Sequence, residues 1–158
     1  MLFRSFSKVS YTALEFDLKR LFAENDGPFL ELGRACIHKD YRKGSIISLL
    51  WRGIAEYMNL SGSNILFGCS SLKINNPREA ALVQKHLVDQ GLVNETYHCK
   101  PTKKFTMQDF SSWYEYFSSG LSEKQIEEAQ ELMPSLLKSY LKLGAVVACA
   151  PAFDEDFD

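Results

Sequence analysis

Arg42-Lys43-Gly44-Ser45 is the stretch whose residue types and order come nearest to chemistry. Two cations, one position without a side chain and one hydroxyl stand just before an apolar, helically spaced run. A polar loop between a strand and a helix N-terminus suits a phosphate, because unpaired N–H groups and the helix dipole both favour an anion there. The same residues suit a plainer role, with Gly44 making a turn and Ser45 capping the helix. Both readings stand on these residues alone. Basic character extends across residues 34–52, where Arg34, Lys39, Arg42, Lys43 and Arg52 stand against Asp40. A basic surface on an acidic chain fits one anionic partner at one site, and fits a solvated mixed surface about as well.

The thiols and imidazoles do not converge. Cys36, Cys69, Cys99 and Cys149 include no CxxC pair, and His98 beside Cys99 is the only His–Cys neighbour. Neither ligand spacing nor clustering is present, so no metal site is expected. Cys36, Cys69 and Cys149 lie in apolar runs, where cysteine behaves as a small hydrophobe. A reducing cytoplasm is the expected compartment.

The elements that would position the basic loop read clearly on both sides of it. Phe29 to Ile37 alternates as a strand, and 38–44 is a polar turn. Ile46, Leu49, Leu50, Ile54, Tyr57 and Met58 fall at helical spacing, with Trp51 broadening the stripe, so a helix is expected from Ser45 to about Leu60. Asn64 to Cys69 is a short apolar run and reads as a buried strand. Strand, loop, helix and strand in some forty residues make one crossover unit, with the two strands parallel. Ahead of it, residues 1–29 read as a poorly periodic lead-in with short turns, broken at Asn25-Asp26-Gly27-Pro28.

Beyond the crossover, Pro77 opens a helix through about Asp89, closed by Gly91. Val93–Cys99 is expected as a strand and 100–104 as a basic loop. An aromatic-rich helix is expected over 107–118. Ser122-x-x-Gln125 is a capping box ahead of a helix over 123–133. Pro134 starts another, closed by Gly144, and 145–150 is expected as a final strand.

The composition bounds the class. With 158 residues, 46% hydrophobic and 24% charged, the chain reads as one α/β domain over 1–158, not a disordered tail, fibre or coiled coil. No apolar run approaches the length of a membrane-spanning helix, and MLFRSFSKVS is not a signal peptide. The net charge of −2 argues against a general nucleic-acid binder. That charge is uneven, +3 over residues 1–79 and −5 over 80–158.

The run ELGRACIHKDYRKGSIISLLWRGIAEYMNLSGSNILFGCSSL, residues 31–72, resembles the acyltransferases that N-acylate ornithine in bacterial ornithine-lipid synthesis, many of them labelled hemolysins. LMPSLLKSYLKLGAVVACAPAFDEDF, residues 132–157, is similar to a second signature of that family. The resemblance implies a GNAT-like acyltransferase fold, a mixed sheet flanked by helices, related to acyl-homoserine-lactone and N-acyl amino acid synthases. By the same resemblance the chain lacks the N-terminal part of that domain. The donor it implies is a (3-hydroxy)fatty acyl thioester on the phosphopantetheine of acyl carrier protein, or acyl-CoA, with no permanently bound cofactor. The acceptor is an amino acid such as ornithine. The location is the cytoplasm, with peripheral contact at the inner membrane face.

The resemblance also assigns residues. Glu31 and Arg34 match a pair that handles the amine substrate, with Glu31 the candidate for accepting the amine's proton. Arg42, Lys43, Gly44 and Ser45 match the position that holds the donor's phosphate. Backbone N–H groups of Gly68, Cys69 and Ser70 are candidates for the oxyanion. Alternation puts residues 31 and 34 on opposite faces of a strand, so a bulge at Gly33 is expected if they work together. The loop has one Gly, which favours a single phosphate over a pyrophosphate. Two other classes remain expectations: a non-catalytic shortened domain that binds carrier protein, lipid or a partner chain, and a lysolipid O-acyltransferase.

Overall fold

The computed structural model describes residues 2–5, 10–33, 38–41, 44–74 and 76–155. They divide into two compact units, Met1–Ala13 with Asn25–Cys69, and Leu14–Glu24 with Ser70–Asp158.

In the first unit, β1 (Leu2–Ser5), β3 (Phe29–Gly33) and β4 (Ile65–Phe67) form a mixed sheet in the order β1-β3-β4. β3 pairs antiparallel with β1 and parallel with β4, joined to β4 through α3 (Gly44–Ser61). This is the crossover read from sequence. β3 is central, and Phe29, Leu30 and Glu31 are all buried where simple alternation would expose one. On α3, Ile54 is buried and Ile46, Leu50, Trp51 and Met58 are half-buried, while Leu49 is 60% exposed, so the inward stripe is narrower than its spacing suggests.

The turn into β3 depends on Gly27. Its φ is 117°, and an added Cβ would lie 2.6 Å from the Asn64 side chain. Asn64 is held there by its own bonds, Nδ2 to the Asp26 carbonyl at 3.2 Å and N–H to the Pro28 carbonyl at 3.3 Å. The lead-in contains β1, which the sequence pattern did not reveal. Its pairing with β3 runs without an inserted residue from Ser5↔Leu30 to Leu2↔Gly33. No residue is inserted as far as Gly33, and Arg34, whose face the expected bulge would set, lies outside the described residues.

In the second unit, α4 (Pro77–Asp89) starts at the Asn76 cap, whose side chain accepts from the Arg78 N–H at 2.8 Å. Ala81, Leu82, Val83 and Leu87 of α4 meet Phe117, Ala129, Met133 and Leu137 in one core. Those partners come from the turn after α5 (Phe110–Tyr116), from α6 (Glu123–Leu132) and the residue that follows it, and from α7 (Ser135–Lys142). The capping box before α6 is present, with Ser122 N–H donating to Gln125 Oε1 at 2.8 Å.

Two expected strands do not form. Val93–Cys99 gives one bridge at Val93 and then a 3₁₀ turn, Glu95–Tyr97. Asn94 explains the switch, because its Oδ1 accepts from the Thr96 N–H at 3.0 Å and offers the backbone a local partner. The 145–150 run then has little to pair with. Only Val147 bridges Val93, through N–H to Leu92 O and Asn94 N–H to Val147 O, both 2.8 Å. The aromatic helix begins at Phe110, later than expected, after Asp109 at φ 60°. The expected basic loop instead contains β5 (Lys100–Pro101), paired antiparallel with β2 (Phe16–Asp17). β2 lies between the short helices α1 (Thr12–Glu15) and α2 (Lys19–Glu24). Among the described residues no helix is long and apolar enough to cross a membrane.

Candidate functional site

Glu31 is the best-defined of the residues singled out from sequence. It lies on β3 and is 9% exposed. Its Oε1 accepts from Ser10 Oγ at 2.9 Å and from the Thr12 N–H at 2.6 Å, and its Oε2 from the Tyr11 N–H at 3.1 Å. Burial alone would raise the carboxyl's pKa, but these donors, led by the Thr12 N–H, together hold it below its ordinary value. Glu31 is therefore ionised at neutral pH. The Thr12 side chain also hydrogen-bonds the carboxylate, so residues 10–12 meet it from both backbone and side chains.

Ser10, Tyr11 and Thr12 are functional neighbours that sequence reasoning missed. Ser10 Oγ also accepts from the Ala13 N–H at 3.3 Å, so Ser10 and Glu31 jointly satisfy the start of α1. Ser-x-Thr ahead of a short apolar run was a usable cap signal. That a carboxylate twenty residues away would share the work was not legible.

Arg34, Arg42 and Lys43 lie outside the described residues. Gly44 and Ser45 are the first two residues of α3, so the helix opens one residue earlier than read and Ser45 stands within its first turn. Gly68 and Cys69 follow β4 directly and are exposed, as is Ser70, with the boundary between the two units falling between Cys69 and Ser70. Gly68 backs closely onto β3, where an added Cβ would lie 2.2 Å from the Leu32 carbonyl oxygen.

The β3–α3–β4 crossover lies largely within residues 4–52, which match the Acetyltransferase (GNAT) domain. The chain is more specifically similar to proteins named L-ornithine N(alpha)-acyltransferase. It is 30% identical to that of Brucella abortus (strain 2308) over 150 residues, 93% of this chain and 50% of the relative. Against the Rhizobium meliloti (strain 1021) protein it is 30% identical, over 93% of this chain and 48% of the relative. Against that of Rhodobacter capsulatus it is 31% identical over 156 residues, 94% of this chain and 53% of the relative. The chain thus spans about half the length of the curated relatives it matches. No solved structure matches it significantly.

Proposed function

We propose that this chain belongs to an N-acyltransferase that moves a (3-hydroxy)fatty acyl group from acyl carrier protein to the α-amine of an amino acid such as ornithine. Similarity along more than nine-tenths of the chain to four proteins named for ornithine N-acylation carries this reading. The neutral amine attacks the thioester carbonyl, the tetrahedral oxyanion collapses, and the carrier's thiolate leaves and takes up a proton. Glu31 attracts the incoming ammonium and accepts its proton through water, with Arg34 orienting the acceptor. N–H groups of Gly68, Cys69 and Ser70 meet the oxyanion. Arg42, Lys43, Gly44 and Ser45 take the single phosphate of phosphopantetheine. The reaction runs in the cytoplasm, against the inner membrane face.

Its test is to incubate the chain with 3-hydroxyacyl carrier protein and either L-ornithine or a lysolipid, with mass spectrometry of the products. N-acyl ornithine is expected. Carrier binding without any product, or acyl transfer only to the lysolipid hydroxyl, overturns the reading. Glu31→Gln in the active protein is expected to lower turnover by about 10², the low end for a general base, because the carboxylate's lowered pKa makes it a weak one.

A further inference from the structure

Within the second unit, Cys99 and Cys149 line one open cleft of about 410 Å³. Both are half-buried thiols, and the rest of the half-buried wall is mainly small or apolar, with Pro101, Ala148 and Ala150. The two cysteines are far apart in sequence, so the fold alone sets them at one cleft.

The backbone that carries each of them is tied down. Next to Cys99, β5 pairs with β2, and the Thr102 N–H donates to the Glu15 carbonyl at 2.7 Å. Residues 147–153 are fastened to both ends of the segment that contains Cys99. The Val147 N–H donates to the Leu92 carbonyl and the Phe153 N–H to the Phe105 carbonyl, both at 2.8 Å. Cys149 is the second residue past the first of these ties, so its Cα lies within about 7 Å of that of Val147. The run 147–153 therefore crosses the open side of the 93–105 segment, and Cys149 faces the same space as Cys99.

Cys99 Sγ donates to the Tyr97 carbonyl at 3.6 Å. Burial first, then the Asp17 carboxylate, push its thiol up, so it is protonated at neutral pH and a poor nucleophile by itself. Among the described residues no three His, Cys, Asp or Glu side chains gather as a metal site, so the two thiols do not belong to such a cluster.

We propose that Cys99 and Cys149 are a redox pair that closes into an intramolecular disulfide when the chain meets a small-molecule disulfide. Cys149, as its thiolate, attacks the small disulfide, breaks its S–S bond and releases one thiol. Cys99 then gives up its proton, attacks the Cys149 sulfur of the mixed disulfide and displaces the second thiol. The pair loses two electrons and two protons, and the small disulfide takes them up as two thiols. The new bond pins 147–153 to the start of β5 and narrows the cleft. It also closes a ring that contains α5, α6 and α7, which restricts the unfolded chain and so stabilises the second unit. None of this rests on the proposed function.

The experiment incubates the full chain with oxidised glutathione, alkylates the remaining thiols and maps the peptides by mass spectrometry without reduction. The peptides that carry Cys99 and Cys149 are expected to be joined, about 2 Da lighter than their reduced sum. The joined chain is expected to melt at least roughly 5 °C higher, and a dithiol reductant to reverse both changes. Cys99→Ser is expected to leave Cys149 as a glutathione adduct, with no rise in melting temperature. Four results would each overturn the inference: both thiols unreacted; a lasting glutathione adduct on Cys149 of the unaltered chain; a bond from either cysteine to Cys36, Cys69 or a second chain; or a Cys99–Cys149 bond that leaves melting unchanged.

Discussion

Glu31 in the first unit and Glu95 in the second are both carboxylates on short elements, yet their surroundings differ completely. Glu31 is buried and met by donors from Ser10, Tyr11 and Thr12, two of them backbone N–H groups. Glu95 is exposed and has no side-chain partner among the described residues. A buried carboxylate loses several kcal/mol if its donors are removed, so its position is fixed by the fold. An exposed unpaired one costs little to leave in water and is available to a ligand. The contrast extends to the units themselves. Among the described residues the first combines tight polar and backbone contacts around a small sheet with a few buried apolar side chains, Phe29, Leu30 and Ile54. The second relies on an apolar helical core, with its polar contacts at the periphery.

If that contrast is right, the largest stability loss comes from Gly68→Ala. The new methyl would meet the Leu32 carbonyl of β3, which is backbone and cannot rotate away. β4 must then shift from β3, at a cost of about 3 kcal/mol, read as the midpoint of denaturant unfolding. Gly33→Ala is the control, since nothing lies within 4 Å of its added Cβ. Equal losses at the two positions would break the argument for close approach.

Glu31→Ala is next, at about 2 kcal/mol, because it strands the Thr12 and Tyr11 N–H groups at the start of α1. The wild-type chain should also show the pH signature of this group. Its folded pKa lies below the ordinary glutamate value of 4.5, so the unfolded state takes up the proton first as the solution is acidified. The stabilisation is complete above about pH 4.5 and is lost as the pH falls through the lower folded value. Glu31→Gln should flatten that acid limb. An unchanged acid limb in the variant would mean that Glu31 is not the anchor described here.

The crossover could be read in sequence because two local signals agreed: an apolar run of strand length on each side and helical spacing between them. α4 and α6 were legible for the same reason, with Pro77 and Ser122-x-x-Gln125 marking their starts. β1 was not, because LFRS carries too few residues to show a period, and its identity as a strand comes from pairing with β3. Val93–Cys99 failed in the other direction. Its apolar and β-favouring residues suggested a strand, and one Asn side chain redirected the backbone into a 3₁₀ turn. The site divides likewise. Glu31 carries a resemblance legible in sequence, but its donors Ser10, Tyr11 and Thr12 lie about twenty residues away and share no motif with it. Only the fold brings them together.

Peripheral contacts of the second unit should cost less than those of the first. Ser122→Ala removes the cap of α6 and is expected to lower stability by about 1 kcal/mol. Ser122→Asp should restore most of it, since Asp accepts from the same N–H groups and favours the positive end of the helix dipole. A loss as large as that of Glu31→Ala would erase the distinction between the units.

The smallest expected effect is at the most conspicuous ion pair. Arg78 on α4 and Glu128 on α6 meet in a two-pronged contact, Nη1 to Oε1 at 2.7 Å and Nη2 to Oε2 at 3.2 Å. The guanidinium also lies 5.9 Å from the centre of the Phe117 ring. Yet both side chains remain about a third exposed, so water screens the charges and competes for their hydrogen bonds. A double-mutant cycle through Arg78→Met and Glu128→Gln is expected to give a coupling of about 0.5–1 kcal/mol, reduced in 1 M salt. Arg78→Met alone should cost more than Glu128→Gln alone, because it also removes the contact with the Phe117 ring. A coupling above about 2 kcal/mol that survives high salt would place this pair with the buried ties of the first unit. The second unit would then depend on polar geometry as much as the first does.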